Sequence, residues 1–101
     1  MSSTRHPRRR VVVTGMGVVS PIGNSVAEFW SNLLGGACGI RLIAEWDTDG
    51  FPAHVAGQVN GFDPSAYMDR QAARRIDRFG HFAIAAATDA VCDAALDLEE
   101  E

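Results

Sequence analysis

The apolar positions of this chain change their period as the sequence runs. Arg10 to Thr14 (Arg-Val-Val-Val-Thr) sets three consecutive valines between a charge and a glycine. A short β-branched run of this kind predicts a strand buried on both faces, as in a parallel sheet. Gly15-Met16-Gly17 opens a loop, and Pro21 and Gly23 keep the chain non-helical up to residue 24. Ser25-Val26-Ala27-Glu28 is then a Ser-x-x-Glu capping box. Behind it, Val26, Phe29, Trp30, Leu33 and Leu34 recur at helical spacing and form one apolar stripe. Gly35 and Gly36 end that helix. Its stripe is expected to pack on the sheet made by Val11–Val13.

The middle of the chain carries weaker signals. Ile40 to Ala44 reads as a short strand, and Val55 to Val59 as a second one weakened by Gly57. Asp63-Pro64 starts a turn or short helix. From Arg70 the period is helical again, with Phe79, Phe82, Ala83, Ala86, Ala90 and Ala94 on one side. An alanine-rich face predicts close approach to another element. Two helices with two or three strands make an α/β chain. A two-stranded sheet is marginal alone, and a doubly buried strand needs neighbours this inventory hardly supplies. The sequence stops on acidic residues where an α/β protein would begin its next strand. Residues 1–8 are therefore expected to be a disordered tail, and residues 9–101 an incomplete first part of a larger domain.

Composition narrows the function classes. With 47% hydrophobic and 22% charged residues, the chain is too apolar to be disordered. No uninterrupted apolar run approaches the roughly 20 residues that span a bilayer. The net charge of −4 argues against non-specific nucleic-acid binding. All nine basic residues are arginine. Arg70, Arg74, Arg75 and Arg78 cluster, while the tail from Asp89 is purely acidic. Cys38 and Cys92 are far apart and form no Cys-x-x-Cys, and His6, His54 and His81 are scattered, so no disulfide framework or metal-ligand spacing is present. A reducing cytoplasm fits this usage.

Four readings of local chemistry are discounted on physical grounds. Gly15-x-Gly17 after a strand suggests a dinucleotide-binding loop, but Ser20 and Pro21 stand where the third glycine and the helix belong. The helix begins only near Ser25, too late to aim its dipole at a phosphate, and Glu45 lies too far on to be the ribose acid. Cys38 follows a helix C-terminus, whose partial negative charge works against a thiolate nucleophile. Cys92 reads as a small buried residue inside a helix. His81, four residues after Asp77, reads as half of a helix-surface pair.

One resemblance accounts for the whole string. Val11-Val-Val-Thr-Gly-Met-Gly-Val-Val-Ser-Pro-Ile-Gly-Asn24 resembles the opening of the elongating β-ketoacyl-acyl carrier protein synthases. The similarity continues through Phe29-Trp30, Leu33-Leu34, Gly36, Gly39-Ile40, Ala56-Gly57-Gln58-Val59, Phe62-Asp63-Pro64 and Arg74-Arg75-Ile76-Asp77-Arg78-Phe79, and on to Leu96. Cys38 and Ala95 depart from the pattern, standing where relatives usually carry Ser and Gly. The second departure is expected to shift the end of the long helix by a residue.

The resemblance implies a thiolase-like α/β fold of layers α-β-α-β-α, incomplete in this chain. It implies a decarboxylative Claisen condensation of malonyl-acyl carrier protein with an acyl-enzyme thioester, in fatty-acid elongation. The nucleophilic Cys and two His of that reaction lie beyond the matched region, so no catalytic residue is assigned here and the chain alone is expected to be inactive. Neither cofactor nor metal is implied. Acyl carrier protein is the implied partner, docked by Arg70, Arg74 and Arg75, and the full-length enzyme is expected to be a homodimer. A polyketide ketosynthase, or a chain-length partner without the nucleophile, is the alternative within the family.

Overall fold

A computed structural model describes residues 7–99. Its elements run α1 (Val26–Leu34), β1 (Ile40–Leu42), β2 (Val55–Gly57), a 3-10 turn (Pro64–Ala66), α2 (Arg70–Arg75) and α3 (Arg78–Ala94). Of the residues assigned to a disordered tail, 1–6 lie outside the described region.

The local signals for α1 act as expected. The Ser25 hydroxyl accepts a bond from the Glu28 amide at 3.1 Å, which satisfies one of the free N–H groups of the first turn. At the other end Gly36 takes a φ of 76°, where a side chain would be strained. The Gly36 amide donates to the Leu33 carbonyl and the Ala37 amide to the Asn32 carbonyl. These are the paired bonds of a Schellman ending.

Residues 20–24 form a turn that joins three elements. Ser20 and Gly23 exchange backbone hydrogen bonds at 2.9 and 3.2 Å. A Cβ on Gly23 would lie 2.5 Å from the Phe29 backbone nitrogen, so only glycine lets the turn sit against α1. The Asn32 side chain reaches back from α1 to the Ile22 carbonyl. Pro21 presses on Gly39 and Gly57, the glycines that flank β1 and end β2. Asn24 donates to the Asn60 carbonyl at 2.8 Å. Beyond that turn, β1 and β2 pair antiparallel, with Arg41 opposite Ala56.

The helical pattern from residue 70 is broken in two. Ile76 is extended (φ −119°, ψ 135°) and Asp77 takes the N-cap position of α3. Ile76 lies against Gly80, where a Cβ would come within 2.2 Å of its Cγ2. The alanine face of α3 receives the loop at Gly15 and Gly17. A Cβ there would lie 2.3 Å from the Ala90 carbonyl oxygen and 1.9 Å from that of Ala86, respectively. The Met16 amide donates to Asp93 at 3.0 Å and fixes the loop along the helix. Asp93 is thereby a structural acceptor on α3.

Three expectations are corrected. Residues 10–14 form no strand, and Val11 and Val13 are 90% and 80% exposed. A strand is held by neighbouring strands, and the described residues offer this segment none. The α1 stripe consequently meets no sheet, and Val26, Phe29 and Trp30 face Met16–Val18 and Ala90 across an open groove. Cys92 is exposed rather than buried, since no neighbour covers its thiol although Tyr67 bonds Asp89 one turn away. At the end of the long helix, α3 closes after Ala94 on Ala95. Ala95 adopts the left-handed conformation at φ 56°, and its amide and that of Leu96 bond to the Cys92 and Val91 carbonyls, another Schellman ending, made without glycine.

Much apolar surface is left uncovered. Among the described residues only Ala85 is a fully buried hydrophobe. The accessible surface is 8543 Å², against about 5,500 Å² for a compact chain of this length. The radius of gyration is 19.2 Å, against about 13 Å. The elements are formed, but the core they would share is not closed.

Two substitutions of opposite sign test this description. Ala95→Gly relieves the left-handed strain and should stabilise the end of α3 by about 1 kcal/mol. Gly17→Ala drives a methyl into the Ala86 carbonyl and should destabilise by about 1–3 kcal/mol. Amide hydrogen exchange along α3 should slow in the first variant and quicken in the second. An unchanged rate with Gly17→Ala would contradict the close approach.

Candidate functional site

The basic cluster on α2 is the candidate, and its helix is too short to stand alone. Six residues fall well below the length at which an isolated helix is stable. The Asp69 carboxylate caps its start, accepting from the Ala72 amide at 2.7 Å. Arg74 and Arg75 lie in its last turn, where a cation complements the helix dipole. Arg70 and Arg74 are one turn apart on the same stripe, and Arg75 lies about 100° round the axis. All three are exposed. The structure therefore brings together on one helix the three arginines selected from the sequence.

Arg78 is different. Its guanidinium donates to the Val59 carbonyl at 2.8 Å and lies 5.3 Å from the centre of the Phe82 ring. That cation–π contact and hydrogen bond commit it to holding the strand exit at Val59 against α3. The fourth arginine of the cluster is thus a structural tie.

An aromatic cluster joins the segment ahead of α2 to α3. Phe62 stacks on Tyr67 with ring centres 6.1 Å apart and meets Phe82 edge-on at 5.1 Å. Tyr67 donates from its hydroxyl to Asp89 at 2.9 Å, which ties the segment before α2 to α3. The Asp63 carboxylate starts the 3-10 turn by accepting from the Ser65 amide, a bond that holds its pKa below the usual carboxylate range. Sequence reading missed the Tyr67–Asp89 tie, since its partners are 22 positions apart.

His81 makes no surface pair with Asp77. Its Nε2 lies 2.8 Å from the Ala73 carbonyl oxygen. A carbonyl can only accept, so Nε2 carries the proton and the ring ties α3 to α2. His54 contacts Thr48 through Nδ1 at 2.8 Å in an exposed loop. Cys38 is exposed after α1, with only a distant contact of 3.8 Å to the Ile40 carbonyl. Among the described residues neither cysteine bonds to a histidine, and no three His, Cys, Asp or Glu gather as metal ligands. Gly15 and Gly17 face the backbone of α3 and leave no cradle for a pyrophosphate. No described helix is long and apolar enough to cross a membrane.

Comparison with known proteins places these features in a family. Residues 8–101 match the family described as beta-ketoacyl synthase, N-terminal domain. The chain is 48% identical over 92 residues to 3-oxoacyl-[acyl-carrier-protein] synthase 2 of Staphylococcus aureus (strain COL), covering 91% of this chain and 22% of that protein. It is 47% identical over 94 residues to the protein of the same name from Vibrio cholerae, covering 93% of this chain and 23% of the other. A solved structure, the ishigamide ketosynthase/chain length factor, superposes with a TM-score of 0.81 at 40% identity over 93% of this chain and 23% of that one. The chain thus spans less than a quarter of the length of these relatives.

Tyr67 offers a direct test of the tie between the segment ahead of α2 and α3. The hydrogen bond to Asp89 is the main cause that raises its phenol pKa above the ordinary value, with burial and the Asp89 charge adding to it. A raised folded-state pKa contributes stability that is complete below the unfolded value near 10 and is lost as pH rises through the folded value. Tyr67 is the only tyrosine, so phenolate absorbance reports it alone. Its midpoint should lie above 10 in the folded chain and fall back towards about 10 in Asp89→Asn. Equal midpoints would show that the tie does not form.

Proposed function

The chain belongs to the β-ketoacyl synthase family, as the N-terminal part of its thiolase-like α/β fold, and from that footing we propose that it serves a condensing acyltransferase of fatty-acid elongation. The reaction joins an acyl-enzyme thioester to the carbanion released when malonyl-acyl carrier protein loses carbon dioxide. A thiolate, an oxyanion hole and groups that stabilise the enolate are its chemical needs. The described residues bring no thiol and imidazole together, so the reading puts this machinery outside residues 1–101 and holds the chain alone to be inactive. Neither metal nor cofactor enters the scheme, and the complete enzyme is read as a cytoplasmic homodimer.

The contribution assigned to this chain is reception of the acyl carrier protein by Arg70, Arg74 and Arg75. One observation carries it: three exposed arginines share one short, braced helix in a chain whose net charge is −4. A cationic patch kept against the overall charge suits an acidic partner, and such rim charges act mainly on encounter rate and salt dependence. Placement of the reacting atoms then falls to the rest of the enzyme. The similarity to a ketosynthase/chain length factor favours a second reading, a polyketide ketosynthase or its nucleophile-less partner. Both use the same docking logic and differ at the downstream nucleophile.

The test uses the full-length polypeptide that carries this chain. Each exposed ion pair is worth only about 0.2–1 kcal/mol, so single substitutions are expected to be weak. Arg74→Glu with Arg75→Glu turns attraction into repulsion and should raise KM for an acyl-carrier substrate by about tenfold at low salt. KM for a small acyl thioester should stay unchanged, and the carrier-specific loss should shrink as salt rises. Equal loss with both substrates would make the arginines structural, and no loss with either would refute the docking role.

A further inference from the structure

We propose that His81 is a positioning residue for the docking helix, fixing the direction in which α2 presents Arg70, Arg74 and Arg75. The inference rests on the docking reading above and adds to it the group that orients the patch.

The helix ends after Arg75, so the Ala73 carbonyl has no partner four residues on within α2. The break at Ile76 turns the chain into α3, and a side chain from the first turns of α3 fills that vacancy. His81 reaches back eight residues and donates its Nε2 proton to Ala73 at 2.8 Å. The backbone that carries the ring is held at two points. The His81 amide donates to the Asp77 carbonyl at 3.2 Å, inside the first turn of α3. Its neighbour Gly80 lets Ile76 lie close against the helix and sets the corner between α2 and α3. His81 is half-buried, whereas the arginines it serves are exposed.

Among side-chain hydrogen bonds of the described residues, none besides that of His81 ties α2 to α3. The Asp69 cap acts within α2 itself and sets where it starts. The Tyr67–Asp89 bond anchors the segment ahead of it. Only the His81 bond joins the body of α2, at Ala73, directly to the long helix by a side chain among the hydrogen bonds of the described residues. Turning a six-residue helix about its axis moves guanidinium groups several ångströms at the ends of long side chains. A docking surface read through charge is sensitive to that movement, while chemistry elsewhere in the enzyme is not.

The experiment compares His81→Leu, His81→Gln and the Arg74→Glu/Arg75→Glu double variant in the full-length polypeptide, each with an acyl-carrier substrate and a small acyl thioester. His81→Leu removes the donor, and His81→Gln offers an amide N–H in its place. Loss of one hydrogen bond predicts about a fivefold rise in carrier KM for His81→Leu, with kcat and the small-thioester KM unchanged. His81→Gln should restore most of that rise. If the double variant loses carrier affinity and His81→Leu does not, the positioning role is wrong and the docking reading stands. If the double variant shows no carrier-specific loss, docking itself is wrong and the inference falls with it. Equal loss with both substrates in His81→Leu, or failure of His81→Gln to restore, would also overturn the proposal.

Discussion

Backbone-to-backbone contact between the Gly15-x-Gly17 loop and α3 is the constraint on which the rest of the arrangement depends. Carbonyl oxygens of Ala86 and Ala90 occupy the space where side chains on Gly17 and Gly15 would begin. Such an approach needs glycine on one side and small residues on the other, and α3 supplies alanine at 86, 90 and 94. The Met16 amide bond to Asp93 then fixes the register along the helix axis. Once the loop is held, the Ser20–Gly23 turn follows within a few residues. That turn in turn places α1 through Gly23 and Asn32, and the β1–β2 hairpin through Pro21. A motif that superficially suits a phosphate is therefore spent on packing.

Local chemistry explains which features were legible in the sequence. The Ser25 cap, the Gly35-Gly36 ending, the 3-10 turn after Asp63 and the two short strands are each decided by a handful of consecutive residues. Their physical causes, a capping hydroxyl, a left-handed glycine and a proline-fixed φ, are visible in the string itself. The resemblance to β-ketoacyl synthases extends the same kind of legibility, since it rests on the order of these local words. The helical period from residue 70 put Arg70, Arg74 and Arg75 on a helix, and the three share α2.

What was not legible is non-local. The break at Ile76 lies inside an unbroken helical period, and its cause is the approach of Ile76 to Gly80 and the start of α3 at Asp77. His81 has Asp77 at helical spacing, yet it bonds to a carbonyl released by that break. Cys92 and Val11–Val13 illustrate the opposite failure. Their residue types predict burial, which requires a neighbour, and a residue type carries no information about whether the neighbour is present. The excess of accessible surface over that of a compact chain measures the same shortfall.

Ala95 shows how the two kinds of information meet. The family pattern expects glycine at the end of the long helix, and a shifted end was the natural expectation for alanine. In the structure α3 ends at Ala94, and Ala95 closes it in a left-handed conformation. The cost of that conformation is about 1–2 kcal/mol. The two capping bonds to Cys92 and Val91 are among the gains set against it. Shifting the end would also move the α3 residues that follow Ala90, including Asp93 and Ala94, against which Met16 and Gly15 are fitted. A helix whose face is keyed to a glycine loop by carbonyl contacts has little freedom to slide or unwind by one residue. The strain at Ala95 is thus a local expense of the same loop–helix contact that organises the chain.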